Sequence, residues 1–188
     1  MKKSFFSFAI VAVAAFMMAS CGNKSAQNTE NQDSTAVAEA EPAAAADPNL
    51  YDMEFFTYKM TETFKESSKP EFGKVYIKTA HQPNINVSIA GSLKGDIASW
   101  SKEQENDKMT ADKEVTGNGK TYTTFYKEGA SGYVLRAATV IGIEGAKEGE
   151  AGWISIQVQG PLKDDNHKDV AFERLQEVID NITPKTNK

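Results

Sequence analysis

The chain has a single cysteine, Cys21, and it stands at the end of an apolar run, far from any strand-like segment. No disulfide can therefore form within the chain. Whatever folds downstream must be held by its own core. The run extends from Phe5 to Met18, follows Lys2 and Lys3, and gives way to Ala19 and Ser20. A basic start, a short apolar stretch and small residues make a secretory signal. The run falls short of the about 20 apolar residues that a membrane-spanning helix needs.

Met18-Ala19-Ser20-Cys21 resembles the lipobox of bacterial lipoproteins, with Met18 where Leu is usual. The resemblance implies cleavage between Ser20 and Cys21, a diacylglycerol thioether on Cys21, and acylation of the new amine by a fatty acid such as palmitate. The chemistry needs a thiol, because the thiolate is the nucleophile. Each buried methylene contributes about 0.8 kcal/mol, and two chains give stable anchoring. Residues 1–20 thus read as a lipoprotein signal peptide, 21–48 as the lipidated cysteine and a disordered tether, and 49–188 as a single α+β domain. Gly22 is not the Asp of an inner-membrane retention signal, and the first acid after Cys21 is Glu30. The expected address is the cell envelope, at the outer membrane and facing the periplasm, with surface exposure disfavoured.

From Gly22 to Pro48 the composition is polar, then alanine-rich, with no apolar period. Such a stretch cannot bury enough apolar area to offset ordering its backbone. As a coil it would hold the domain about 30 Å from the lipid. Within it, Asp33-Ser34-Thr35 is similar to a three-residue bacterial O-glycosylation site, which would make Ser34 an acceptor. Loss of Lys2 and Lys3 with the signal leaves 19 basic against 26 acidic residues, a net charge of −7. An acidic domain without a basic stripe argues against nucleic acid and anionic headgroups as partners.

The domain begins with the aromatic, strand-like stretch 53–60. Residues 61–70 are polar, with Phe64 as the one large apolar anchor. Lys74-Val75-Tyr76-Ile77-Lys78 alternates, and so does 84–90, where Ile85, Val87 and Ile89 share a face. Asp96 is a good N-cap, and the helix after it has a thin stripe of Ile97 and Trp100. Asn118-Gly119 is the best hairpin signal. The stretch 133–141 is apolar on both faces except Arg136 and Thr139, as a central strand would be. Across 113–158 the connections are too short for crossovers, which predicts an antiparallel meander. Ala171, Leu175, Val178, Ile179 and Ile182 make one stripe of a closing helix, capped by Asp165 or Asn166 and stopped by Pro184. The expectation is about six strands, mostly antiparallel, with two helices.

This element order, with pieces such as Phe56-Thr57-Tyr58-Lys59-Met60 and Phe172-Glu173-Arg174-Leu175, resembles the PsbP-like sandwich across about 51–183. Thr61-Glu62-Thr63-Phe64 stands where that family often carries a Pro-x-Gly-Trp turn. The resemblance implies a non-catalytic accessory or binding module and brings no functional motif.

Catalytic chemistry has little support in the sequence. Asp164-Asp165-Asn166-His167 is the densest set of metal-ligand types, but neighbours in sequence rarely converge on one ion, and acids at a helix start favour its dipole. His81 has no evident Ser, Cys or Asp partner. Gly117-Asn118-Gly119-Lys120 lacks what a phosphate loop needs and reads as a turn. No metal, cofactor or enzymatic role is expected. Trp153, Tyr133, Arg136 and Trp100 are the candidate interaction surface, since aromatics and arginine anchor interfaces. Trp153 points away from Ile154 and Ile156, so it lies either under the first helix or in the open. The leading reading is a lipid-anchored envelope module that binds a protein partner. A small-ligand carrier with a pocket between sheet and helix is the alternative, and an enzyme is third.

Overall fold

The computed structural model describes residues 47–94, 96–142, 151–163 and 165–185. Cys21, Ser20, Ser34, the tether, Asp164 and the 144–150 loop lie outside the described residues. Eleven strands and two helices are formed among the described ones: β1 Leu50–Asp52, β2 Phe56–Lys59, β3 Phe64–Glu71, β4 Lys74–Thr79, β5 Asn86–Lys94, α1 Ile97–Asn106, β6 Thr110–Ala111, β7 Val115–Gly117, β8 Lys120–Gly129, β9 Gly132–Ile141, β10 Ala151–Gly160, α2 His167–Asp180 and β11 Ile182–Pro184. The class is α+β with antiparallel pairing in every ladder. Eleven strands replace the expected six.

They form two sheets. The larger runs β3-β4-β5-β10-β9-β8-β6, with β7 also paired to β8, and the smaller runs β1-β2-β11. The period-2 segments set the large sheet. Val75, Ile77, Val87, Ile89, Leu135, Ile154, Ile156 and Val158 all face one side and are buried. Against that inner side α2 lays Ala171, Phe172, Leu175, Val178 and Ile179. Phe56 and Tyr58 of the small sheet, both fully buried, join the same core.

Several strand ends differ from the sequence reading for physical reasons. β3 was hidden because only Phe64 of its eight residues is buried. With seven side chains exposed there is no burial period to read, and backbone pairing to β4 alone makes the strand. It is an edge, and its register shifts, Lys69 and Pro70 blunt pairing with another chain. Pro184 does not stop α2. The helix ends at Asp180 with Asn181 as C-cap, and Pro184 closes β11 against Phe56. Asn166 is the N-cap of α2, without a side-chain hydrogen bond. Asp96 caps α1 as expected, accepting from the Ser99 amide at 2.7 Å. That bond holds its carboxyl below the usual range.

Two tight turns share one geometry with different residues. Asn118 (φ +49) and Gly119 (φ +71) join β7 to β8, while Phe72 (φ +48) and Gly73 (φ +72) join β3 to β4. Asn suits the left-handed region and here also donates its amide to the carbonyls of Ile179, Asp180 and Ile182. Phe72 has no such compensation, being 92% exposed. Phe72→Asn is expected to stabilise the domain by about 1 kcal/mol, read as a higher urea midpoint at unchanged slope. An unchanged midpoint would show the ring contributing what the backbone loses.

Glu177 ties α2 to the 61–63 turn. It accepts from Thr61 Oγ1 at 2.6 Å and from Arg174 Nη1 at 2.8 Å. Burial pushes its carboxyl up, but the bonds from Thr61, Thr63 and Arg174 outweigh burial and leave it lowered. A lowered folded value means that the unfolded chain takes the proton more readily. The stabilisation is present above about pH 4.3, the unfolded value, and disappears as pH falls through the folded value. Melting temperature should therefore drop on acidification, and Glu177→Gln should flatten that drop. An acid limb equally steep in the variant would assign it to other carboxylates.

Candidate functional site

The two faces of the large sheet are not treated alike. The inner face is closed by α2 and the small sheet. The outer face carries α1 over β8, β9 and Trp153 of β10, and among the described residues no element covers β3, β4 and β5 beside it.

The seat of α1 is a second, smaller core of Trp100, Met109, Phe125, Ala138 and Trp153. Trp100 meets Phe125 edge-on, with centroids 5.5 Å apart and planes at 79°, and tilts against Trp153 at 6.1 Å. Trp153 sits on the outer side because odd positions of β10 point there. A single polar network fixes the end of the helix. Arg136 Nη1 donates to Gln104 Oε1 at 2.8 Å and to Asp107 Oδ2 at 2.7 Å, and its Nε donates to Gln157 Oε1 at 3.1 Å. Lys127 Nζ donates to the Asp107 carbonyl at 2.8 Å. Two cations thus meet the carbonyl end of α1, where the helix dipole is negative. Gln104 is 3% exposed and, with Asp107 at the helix end, bonds the helix to the sheet.

Where α1 stops covering the sheet, a cleft of about 270 Å³ opens, floored by Ser88, Ala90 and Ser155 and walled by Tyr76, Trp100 and Arg136. Strand register explains its composition. Lys74, Ala90 and Ser155 lie in one cross-strand row, Tyr76, Ser88, Gln157 and Arg136 in the next, and Lys78, Asn86 and Gln159 in the third. Small side chains in the middle strands leave the floor low. The walls supply ammonium, guanidinium, amide, hydroxyl and phenol groups. Such a surface can bind through many hydrogen bonds, and it contains no paired nucleophile and base.

The predicted surface residues divide. Trp100, Trp153 and Arg136 are brought together on the outer face. Yet Trp153 is 1% and Trp100 is 7% exposed, so both are packing residues under and along α1. Tyr133 is also 1% exposed and lies on the inner face, stacked between Tyr126 and His167. The expected aromatic interaction patch is therefore corrected. Its rings are buried because α1 and α2 need them, and of the four residues Arg136 keeps appreciable exposure.

Sequence reasoning missed the groups that replace them, chiefly Lys65, Lys74, Tyr76, Lys78 and Gln157. The signal was present in the alternation 74–78. Val75 and Ile77 face the core, which leaves Lys74, Tyr76 and Lys78 as the outward set of the same period.

The remaining candidates find other employment. Glu128 Oε1 accepts from Tyr126 Oη and lies 2.9 Å from His167 Nε2, and these bonds hold its carboxyl below the usual range. Lys168 pairs with Asp112 at 2.6 Å. Among the described residues no group of three metal-ligand side chains converges. His81 lines an open depression of about 400 Å³ with Glu62 and Arg174. Among the described residues no hydrogen bond joins them. Residues 117–120 form the hairpin turn.

No family model matches the chain, and no curated protein matches it. Among solved structures, a protein from Bacteroides thetaiotaomicron is similar at a TM-score of 0.44 and 12% identity, over 70% of this chain and 46% of that one. This chain thus spans under half the length of that protein.

Proposed function

We propose that this protein is a lipid-anchored, non-enzymatic binding module of the cell envelope, and that it docks its partner on the open outer face of the large sheet. The observation that carries the reading is the asymmetry of the two faces. The inner core is filled, while among the described residues nothing covers the outer face beside α1, which presents a row of polar and basic groups. Anchoring through Cys21 after cleavage at Ser20 rests on the lipobox resemblance, and the periplasmic side of an outer membrane on the residues that follow Cys21. Modification of Ser34 and a PsbP-like kinship of the sandwich belong to the same proposal, on the strength of the local motif and the element order. No helix among the described residues is long and apolar enough to cross a membrane.

A carrier of small ligands is the second reading, favoured by the cleft between α1 and the sheet. The cleft is open along one side, which suits the end of a longer ligand better than an enclosed molecule.

A photo-crosslinking side chain placed at Tyr76, in cells expressing otherwise native protein, tests the docking face. Specific adducts at Tyr76 that are absent when the same probe replaces exposed Glu173 on α2 are expected. Equal labelling at both positions, or none at Tyr76, overturns the docking face. Cys21→Ser should release the chain from the membrane fraction. Retention of a processed Cys21→Ser chain there overturns the anchor.

A further inference from the structure

The open face has a charge pattern at odds with the chain that carries it. The whole chain has a formal charge of −5. On the outer side of the β3–β4 hairpin, however, Lys74 and Lys78 share one face of β4, and Lys65 stands directly across from Lys78. None of the three makes an ion pair among the described residues. Arg136 adds a fourth cation across the sheet, in the same row as Tyr76 and Gln157. Among the described residues three carboxylates border the patch: Glu71 opposite Lys74, Glu103 on the rim of the cleft, and Asp107, which pairs with Arg136 at 2.7 Å and leaves the three lysines as the unpaired cations.

The spacing says what kind of anion would fit. Lys74 and Lys78 are four residues apart on one strand, about 13 Å. Tyr76 and Arg136 are three strand spacings apart, about 14 Å. Lys65 and Lys78, directly opposite one another, can share one anion, whereas Lys74 lies a further about 13 Å along the strand, so a ligand that meets all three lysines is extended and carries repeated negative charge. Between the cations lie Ser88, Ser155, Asn86, Gln157 and Gln159, which offer hydroxyls and amides able to donate and accept. That mixture suits a ligand with many hydroxyl groups. A protein partner would call for apolar anchors at the centre of the surface; among the described residues the aromatics of this face are packed under α1 except half-exposed Tyr76, and the exposed ring of Phe72 stands at the β3–β4 turn, at the end of the hairpin and not among the lysine rows. Single-stranded nucleic acid would call for several stacking rings. Strand addition is excluded on the floor, since β5 and β10 are paired on both sides.

We infer that the outer face, along Lys65, Lys74, Tyr76 and Lys78 and into the α1 cleft, binds an acidic polysaccharide bearing carboxylate groups. This rests on the docking face proposed above.

The test uses the full chain purified in a nonionic detergent. Titration calorimetry is run with a galacturonate oligomer of about ten sugars, with poly-glutamate of matched charge, with neutral dextran and with oligothymidylate. Binding of the galacturonate oligomer alone is expected, weakening as salt rises from 50 to 300 mM because the lysines are solvent-exposed. Lys74→Ala with Lys78→Ala should weaken it by about tenfold or more. Lys120→Ala, on the far hairpin, should leave it unchanged. Lys74 is exposed and Lys78 half-buried, and neither belongs to the core, so an unaltered melting temperature separates lost binding from lost fold. Equal or tighter binding of poly-glutamate or oligothymidylate overturns the polysaccharide, as does binding unaffected by the lysine variants or no binding of the galacturonate oligomer. Adducts at Tyr76 obtained alongside any of these leave the docking face standing and remove only the ligand class.

Discussion

Trp153→Ala is expected to cost the domain about 4 kcal/mol, within the range seen when a buried Trp is cut to Ala. The ring is 1% exposed and supports Trp100, which in turn meets Phe125. Removing it empties the middle of a cluster with five buried members among the described residues. Collapse cannot refill the space, because the floor beneath is sheet backbone and Ala138. The loss is a large share of the 5–15 kcal/mol that holds a typical domain together. It should also be local in its first effect. The amides of α1 should exchange hydrogen faster well before those of α2, since the helix is then left with the Trp100–Phe125 contact and the polar ties of Gln104 and Asp107 to Arg136 and Lys127. Trp153→Phe keeps a ring in place and should recover more than half of the loss. A cost near 1 kcal/mol, with α1 amides still protected, would show the helix resting on something other than this tryptophan.

The second large effect belongs to a glycine. Gly160 is paired across the sheet with Tyr133, and a Cβ there would meet the tyrosine Oη at 2.5 Å and Cζ at 2.7 Å. The ring lies over the bare backbone, as aromatics do opposite strand glycines. It has nowhere to go, because Tyr126 stacks on it at 6.1 Å and His167 at 5.9 Å. Gly160→Val should therefore destabilise by about 3 kcal/mol, the upper part of the overpacking range. The cause can be separated from loss of glycine itself by combining it with Tyr133→Ala. The double variant should cost less than the sum of the two single ones, because the clash disappears with the ring. Additive losses would mean that the tyrosine is not what the valine strikes. Tyr133→Phe supplies a milder check. The Tyr133 hydroxyl is buried without a hydrogen-bond partner among the described residues, and burial raises its pKa. Losing it should be neutral or stabilising.

Much of the frame could be read from the chain because burial was written in its periods. Ile85-x-Val87-x-Ile89 gave β5, the 133–141 run gave a central strand, Asn118-Gly119 gave a turn, and the stripe through Leu175 and Val178 gave α2. Elements stabilised by backbone pairing alone left no such trace. β3 exposes seven of eight side chains, and β6 is two residues long with both exposed. The site was less legible than the fold. Large aromatics drew attention because they carry most of the free energy of burial, and in this molecule that free energy is spent inside. The groups left at the open face are lysines, serines and amides, which look like ordinary solvated residues one at a time. Only strand register, which sets Lys65 beside Lys78 and Tyr76 in line with Arg136, makes them a surface.

The small sheet carries a mechanical consequence. β2 is its middle strand, with β1 on one side and β11 on the other. Any tension arriving from residues before 47 is delivered to β1, which has three residue pairs with β2. β1 is held further by Tyr51 stacking on Tyr58 at 6.1 Å, and the turn before it by the bond from the Met60 amide to the Asn49 carbonyl. Under load β1 is the first strand to peel, and it can leave without disturbing a ladder of the eight-stranded sheet. β1 is thus a short, replaceable fuse at the N-terminal end of the described domain, and the outer face keeps its register when that strand is pulled away.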